Sequence, residues 1–208
     1  MNHAIARRIL LVIATAMAAS GPALAAAPPV AEGTPIAVPQ PIACPTGTRS
    51  SREYAFSLMG NRAGYQTVCL QADGTRVVHF AYNDRGRGPA LTSTIRLDAK
   101  NVPVAITTDG NDYLKGPVAE RFTREAGTAA WQNKVESGTQ PVAGAAFYVS
   151  QSGTFEELGL LARALRDAPD RKLALLPQGE AVLQQLSQLQ ISNGESSRQV
   201  SLYSIGGL

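Results

Sequence analysis

The sequence predicts a mainly β protein: a single domain on a curved antiparallel sheet, half-barrel or sandwich-like, with one amphipathic helix packed on it. Three observations predict this. Apolar residues recur with period two across residues 51–149. Turn-forming residues interrupt those runs at short, regular intervals. One segment, 154–168, switches to helical spacing.

The strands follow in order. Tyr54, Phe56 and Leu58 alternate in the first. Tyr65, Thr67 and Cys69 mark one face of the second, and Val68 and Leu70 the other. Val78, Phe80 and Tyr82 share a face of the third. Leu91, Ser93, Ile95 and Leu97 form a fourth set, and Val102, Val104 and Ile106 a fifth. Trp131, Asn133 and Val135 fit a later strand. Successive side chains of a strand point to opposite faces, so each set lines one side of a sheet. Gly60-Asn61, Asp73-Gly74, Asp109-Gly110 and Ala126-Gly127 supply the turns. Such closely spaced strands imply an antiparallel meander rather than alternating strands and helices.

In the helical segment, Thr154 and Glu157 stand at capping-box spacing. Phe155, Leu158, Leu161, Ala162 and Leu165 line one face and are expected to pack on the sheet. Glu156 and Glu157 near the start, with Arg163 and Arg166 near the end, suit the helix dipole. Pro169 ends the helix. Residues 172–176 form a short apolar strand. Residues 181–192 fit either a helix or a strand. The Asn193-Gly194 turn and the return over 199–205 favour a hairpin.

The first 25 residues read as a signal peptide. Arg7 and Arg8 precede an apolar run over 9–18, Pro22 breaks it, and Ala23-Leu24-Ala25 supplies a small-x-small cleavage site. Cleavage after Ala25 is expected, with a periplasmic or secreted product and no membrane anchor left after cleavage. Residues 26–50 form a Pro- and Ala-rich leader, and 51–208 the folded domain. The chain has 19 basic and 16 acidic residues, net +3. Arg7 and Arg8 depart with the signal, so the mature chain is near +1. That charge gives no electrostatic footprint for nucleic acid. Cys44 and Cys69 are the only cysteines, and in an oxidising compartment an isolated pair reads as a disulfide. Closing a loop of about 25 residues would contribute about 3 kcal/mol in the chain-entropy picture.

Histidine limits the chemistry. His3 lies in the signal, which leaves His79, on the strand face opposite Val78 and Phe80. A zinc site usually draws on several His or Cys ligands. A catalytic triad would need His79 as its base, and no Gly-x-Ser-x-Gly elbow is present. No catalytic residue, metal site or cofactor is therefore assigned. His79 reads as a strand histidine making one hydrogen bond or facing solvent. Arg85 and Arg87 stand in a glycine-rich loop, 83–89, that reads as a hairpin connection or as an anion cradle. Tyr113 and Lys115, with Glu120 and Arg121, are candidates for a polar pocket rim or for surface pairs. Arg85, Arg87, Tyr113 and Lys115 are the candidate ligand-binding residues. Residues 109–112 lack calcium-loop spacing and read as a turn.

Four segments together carry a resemblance: NDRGRGP at 83–89, GNDYLKGPVAERF at 110–122, AFYVS at 146–150 and EELGLLARALRDAPDRKLALLPQG at 156–179. The chain from Glu53 to Leu208 resembles the N-terminal region of exported, periplasmic amidohydrolase-family proteins of Gram-negative bacteria. The resemblance implies that hydrolysis belongs to a metal-dependent barrel with a His-x-His motif, expected to begin about where the likeness ends. No His-x-His occurs in this sequence, so no catalytic residue is carried over. The expectation is a non-catalytic accessory module without activity of its own. It would pack against an amidohydrolase barrel domain or protein and shape access to substrate. The alternative comes from architecture: a periplasmic binding protein holding a small apolar or acyl ligand on the concave face of its sheet.

Overall fold

A computed structural model describes residues 37–208. The expected signal peptide and the first part of the leader lie outside the described residues. Eight strands form one sheet in chain order, each antiparallel to the next. They are β1 (Thr48–Leu58), β2 (Asn61–Gln71), β3 (Arg76–Tyr82), β4 (Ala90–Leu97), β5 (Pro103–Asn111), β6 (Pro117–Glu125), β7 (Thr128–Gln132) and β8 (Ser137–Pro141). This is the expected meander. β1 begins at Thr48, inside the segment 26–50 assigned to the leader.

Register explains the core. Arg76, Ile95, Ile106, Phe122 and Trp131 lie directly across from one another from β3 to β7. Val78, Ser93, Thr108 and Glu120 form the next row on the same face. Val78, Ile95, Ile106 and Phe122 are buried and belong to the main core. One glycine is required by a close approach. A Cβ on Gly110 would sit 2.0 Å from the Ala90 carbonyl oxygen, and the residue's φ is 141°. Only glycine lets β5 come so near to β4 in that conformation.

A second sheet follows, with an arrangement that period-two reading did not contain. β9 (Ala146–Tyr148), β10 (Lys172–Leu176), β11 (Glu180–Ser192) and β12 (Ser197–Gly206) lie in the order β12-β11-β10-β9. β9 and β10 are parallel. Parallel neighbours need a crossover, and the helix α1 (Phe155–Asp167) provides it. All three residues of β9 are buried, so no alternation reveals the strand. The 181–192 segment is the strand β11, paired with β12 around Asn193-Gly194.

The helix occupies the expected span, with Thr154 as N-cap, and a short 3-10 turn opens at Pro169. Its buried face is rotated from the expected one. Leu160, Leu161, Ala164 and Leu165 are buried with Glu156 and Glu157. Phe155 and Leu158 remain about half exposed. Leu160, Leu161, Ala164 and Leu165 join Val78, Ile106, Phe122, Phe147 and Leu175 in one cluster, so the helix and both sheets share a core. Trp131 and Asn133 do not share a strand. β7 stops at Gln132, and Asn133 turns the chain by accepting the N–H groups of Val135 and Glu136, each at 2.9 Å.

Truncation should separate the two leucines. Leu161→Ala should cost about 2–5 kcal/mol in urea unfolding, because a filled core site becomes a cavity. Leu158→Ala should cost under about 1 kcal/mol, because that side chain is already partly in water. Equal losses would contradict the rotated packing face.

Candidate functional site

The residues expected to bind a ligand do come together. Asn83 shapes the β3–β4 connection by accepting the Gly86 N–H at 2.8 Å. The turn expected over 109–112 lies further along, since Asp109 to Asn111 are still in β5. There Asp112 accepts the N–H groups of Leu114 at 2.9 Å and Gly116 at 2.8 Å. These two connections are latched to each other. The Tyr113 hydroxyl donates to Asp84 at 2.7 Å, and the Lys115 ammonium donates to the Gly88 carbonyl at 2.6 Å. The Arg87 guanidinium lies 5.2 Å from the Tyr113 ring centroid. Arg85 pairs with Asp84 at 3.2 Å and is otherwise exposed. The Tyr113 hydrogen bond, then Arg85, hold the Asp84 carboxyl below its usual range, and the same bond to Asp84 raises Tyr113. Tyr113 and Lys115 thus close a loop–loop latch, with the two arginines at its rim. Glu120 and Arg121 cannot share that rim, because they point to opposite faces of β6. Arg121 pairs with Asp109 at 2.7 Å, and Glu120 faces the core.

The expected Cys44–Cys69 disulfide is formed, with Cα atoms 5.7 Å apart. It pins the segment before β1 to the sheet face that turns away from the core. That segment also meets Asn83, whose amide donates to the Ala37 carbonyl at 3.1 Å, and the Ile42 backbone lies against Tyr65. Tyr65, Thr67 and Cys69 are buried on this outer face, as is His79, directly opposite Thr67. His79 makes one hydrogen bond, Nδ1 to Thr92 Oγ1 at 3.0 Å, and its Nε2 has no partner among the described residues. Burial holds its pKa below the usual value.

The groups that sequence reasoning missed lie on the other face. Glu120 is 1% exposed. It accepts hydrogen bonds from the Tyr148 hydroxyl at 2.8 Å, from Gln151 N–H at 2.9 Å and from Ser152 N–H at 2.8 Å. Tyr148 stacks flat on Phe122, ring centroids 4.4 Å apart, and burial, then the Glu120 hydrogen bond, raise its phenol pKa. Glu157 lies nearby at the helix start, and its carboxyl accepts the Thr154 N–H at 3.0 Å. Desolvation raises the Glu157 pKa; the neighbouring Ser150 hydroxyl and then the Thr154 N–H oppose it, and the Glu120 charge pushes the same way as burial. Ser150 stands beside Glu157 without a hydrogen bond of ordinary geometry. A cavity of about 270 Å³ opens between this group and Phe80, Phe147, Phe155, Leu158, Leu161 and Leu208. The signal for Glu120 was its parity: it alternates with Val118 and Phe122, so it must face inward with them.

A further surface is uncovered. Beyond the body of the second sheet, β11 and β12 continue as a two-stranded arm. Leu189 opposite Val200, Ile191 opposite Arg198 and Leu202 opposite Ser187 share one face. Leu189, Ile191 and Leu202 are each at least half exposed. The opposite face carries Gln188, Gln190, Gln199 and Ser197. Gln190 donates to Ser197 at 2.8 Å and Gln199 to Gln188 at 3.2 Å. The polar face is therefore internally bonded while the apolar face has no cover among the described residues.

Among the described residues no group of three or more His, Cys, Asp or Glu side chains is arranged to hold a metal ion. Comparison with family models, curated proteins and solved structures found no match.

Glu157→Gln should change the pH profile of stability. The wild-type carboxyl has a folded pKa above its unfolded value of about 4.5. Its protonated form therefore contributes stability that is complete below pH 4.5 and is lost as pH rises through the folded pKa. Urea unfolding as a function of pH should show the wild type losing stability relative to Glu157→Gln over that window. Parallel profiles would contradict the burial of an ionisable acid at this position.

Proposed function

We propose that this chain is a non-catalytic accessory module of the exported amidohydrolase lineage, which docks on a metal-dependent barrel and helps form the approach to its substrate. The observation that carries this reading is the arm of β11 and β12. A two-stranded ribbon is marginal by itself in water. Its half-exposed Leu and Ile side chains would each gain about 1 kcal/mol on full burial, half the worth of a wholly exposed one. An ordered ribbon with one apolar face fits an element that a partner completes. The four sequence segments that resemble amidohydrolase N-terminal regions supply the class of partner.

The latch between 83–89 and 112–116 belongs to the same reading. Two of the four segments supply its loops, and Tyr113 and Lys115 of one bond to Asp84 and Gly88 of the other. Arg85 and Arg87 then stand on a rigid rim, where they can meet an acidic group of the docked barrel or an anionic substrate at its mouth. The disulfide and the expected signal peptide favour work in the periplasm or beyond it.

The test uses a photo-crosslinking side chain placed at Leu189, on the apolar face, or at Gln190, on the polar face. Each chain is irradiated in the periplasm of the bacterium that makes it. The reading predicts an adduct, within or between chains, from position 189 to a segment of a His-x-His metal barrel, at several times the yield from position 190. No adduct, or equal adducts from both positions, would overturn it.

A further inference from the structure

The cavity at the start of α1 is separate from the uncovered arm, and it has the composition of a ligand site. Its walls are Phe80, Phe147, Phe155, Leu158, Leu161 and Leu208, and its volume is about 270 Å³. Clefts lined mainly by apolar side chains with a few polar groups among them are the usual form of small-molecule sites. Tyr148, Ser150, Gln151, Thr154 and Glu157 add polar side chains to the same lining, and of these Ser150 and Glu157 have polar atoms not fully engaged by the protein. We propose that this cavity binds a small uncharged amphiphile, an aliphatic or single-ring body carrying one neutral hydrogen-bonding head such as an alcohol, amide or ester.

The body of the ligand follows from the walls. Phe155 and Leu158 are half exposed at the helix start, while Phe147 and Leu161 are buried behind them. Phe80 and Phe155 meet edge to face, centroids 5.2 Å apart, so one side is a preformed aromatic surface. A guest that fills the space would cover the exposed parts of Phe155 and Leu158, which account for the rotated face of the helix.

The head follows from the polar groups. The Ser150 hydroxyl is buried beside the Glu157 carboxyl, without a hydrogen bond of ordinary geometry to it. Such groups are uncommon in folded proteins, and a ligand oxygen or N–H would satisfy this one. One Glu157 oxygen is engaged by Thr154. A Cβ on Gly153 would stand 3.2 Å from the other, so glycine here lets the 150–153 loop close over the carboxyl without crowding it.

Charge excludes the other heads. No Lys or Arg lines the cavity, and the Glu120 carboxylate lies behind its wall. An anionic head would enter against that charge without a counter-ion. The basic residues nearest the helix start, Arg76 and Arg163, are engaged by Glu156 at 3.7 and 3.6 Å. A cationic head would require Glu157 to ionise in a site whose burial favours its neutral form. A larger hollow of about 640 Å³, beside Asn101 and Lys172, has no comparable buried titratable group in its lining and carries no such argument.

The experiment is a methyl and aromatic NMR titration of the purified full chain with 1-hexanol, hexanoate and hexylamine at pH 7. Hexanol should give saturable shifts at Leu158, Leu161 and Phe155, with hexanoate and hexylamine at least about tenfold weaker. Ser150→Ala should weaken hexanol by about three- to tenfold, the worth of one neutral hydrogen bond, and leave benzene binding unchanged. Leu158→Trp, at the half-exposed mouth, should abolish the hexanol shifts while the Ile106 methyls keep their positions, which reports an intact core. Equal binding of hexanol and hexanoate would overturn the proposal in favour of an unselective apolar trap. Tighter hexylamine would overturn it in favour of a cation site, and the absence of saturable shifts would remove the site altogether.

Discussion

Glu120 lies on the core face of β6 with three donors around it: the Tyr148 hydroxyl from β9 and the N–H groups of Gln151 and Ser152 before α1. These bonds join the eight-stranded meander to the strand–helix–strand unit that begins the second sheet. A buried carboxylate is costly unless its oxygens are engaged, so the surroundings of Glu120 are tightly specified. Removing any one donor would leave a carboxylate oxygen less satisfied in the interior, and removing Glu120 would orphan the hydroxyl and both N–H groups. The flat stack of Tyr148 on Phe122 and the position of the 149–153 loop follow from the same arrangement. So does the location of the cavity, which opens where that loop meets the helix.

The other face of the sheet follows a different economy. There the core offers nothing, and burial comes from the segment before β1, held by the Cys44–Cys69 disulfide. β2 is consequently buried on both faces from Ala63 to Cys69. His79 becomes an interior neutral histidine rather than a surface one. The outer strap and the inner carboxylate act on opposite sides of β2 to β6, which leaves the ends of the structure exposed. At one end stand the latched loops with Arg85 and Arg87. The arm of β11 and β12 provides the other surface, with its apolar face uncovered.

Much of this was legible in the sequence, for identifiable reasons. Strands with one core face display that face as alternation, and Val78, Ile95 and Ile106 fall where their pattern places them. Asp73-Gly74 and Asn193-Gly194 have little alternative to a tight turn. The cysteine pair had no other partners. The parallel pair of β9 and β10 was not legible, because a strand buried on both faces has no period. The helix face was misjudged by one position because Phe155 and Leu158 are apolar without being covered; apolar spacing records what can be buried, and here a cavity takes the place of the sheet. Of the candidate site residues, Arg85 and Arg87 lie beside Tyr113 and Lys115 across two loops, a proximity that the separate sequence segments do not reveal. Glu157 caps the helix as its spacing predicts, but its burial and that of Glu120 are not legible in residue type, since a charged residue is ordinarily at the surface. The parity of Glu120 with Val118 and Phe122 was the overlooked sign.

The dependence of the fold on Glu120 is tested most directly by a double-mutant cycle in urea unfolding, using Glu120→Gln and Tyr148→Phe. An amide at position 120 would set its own N–H group against donors that need an acceptor. The account predicts a loss of about 3 kcal/mol or more for Glu120→Gln. It also predicts that Tyr148→Phe costs at least about 1 kcal/mol less in the Glu120→Gln background than alone. A loss within about 0.5 kcal/mol of zero for Glu120→Gln, or strictly additive effects, would contradict it.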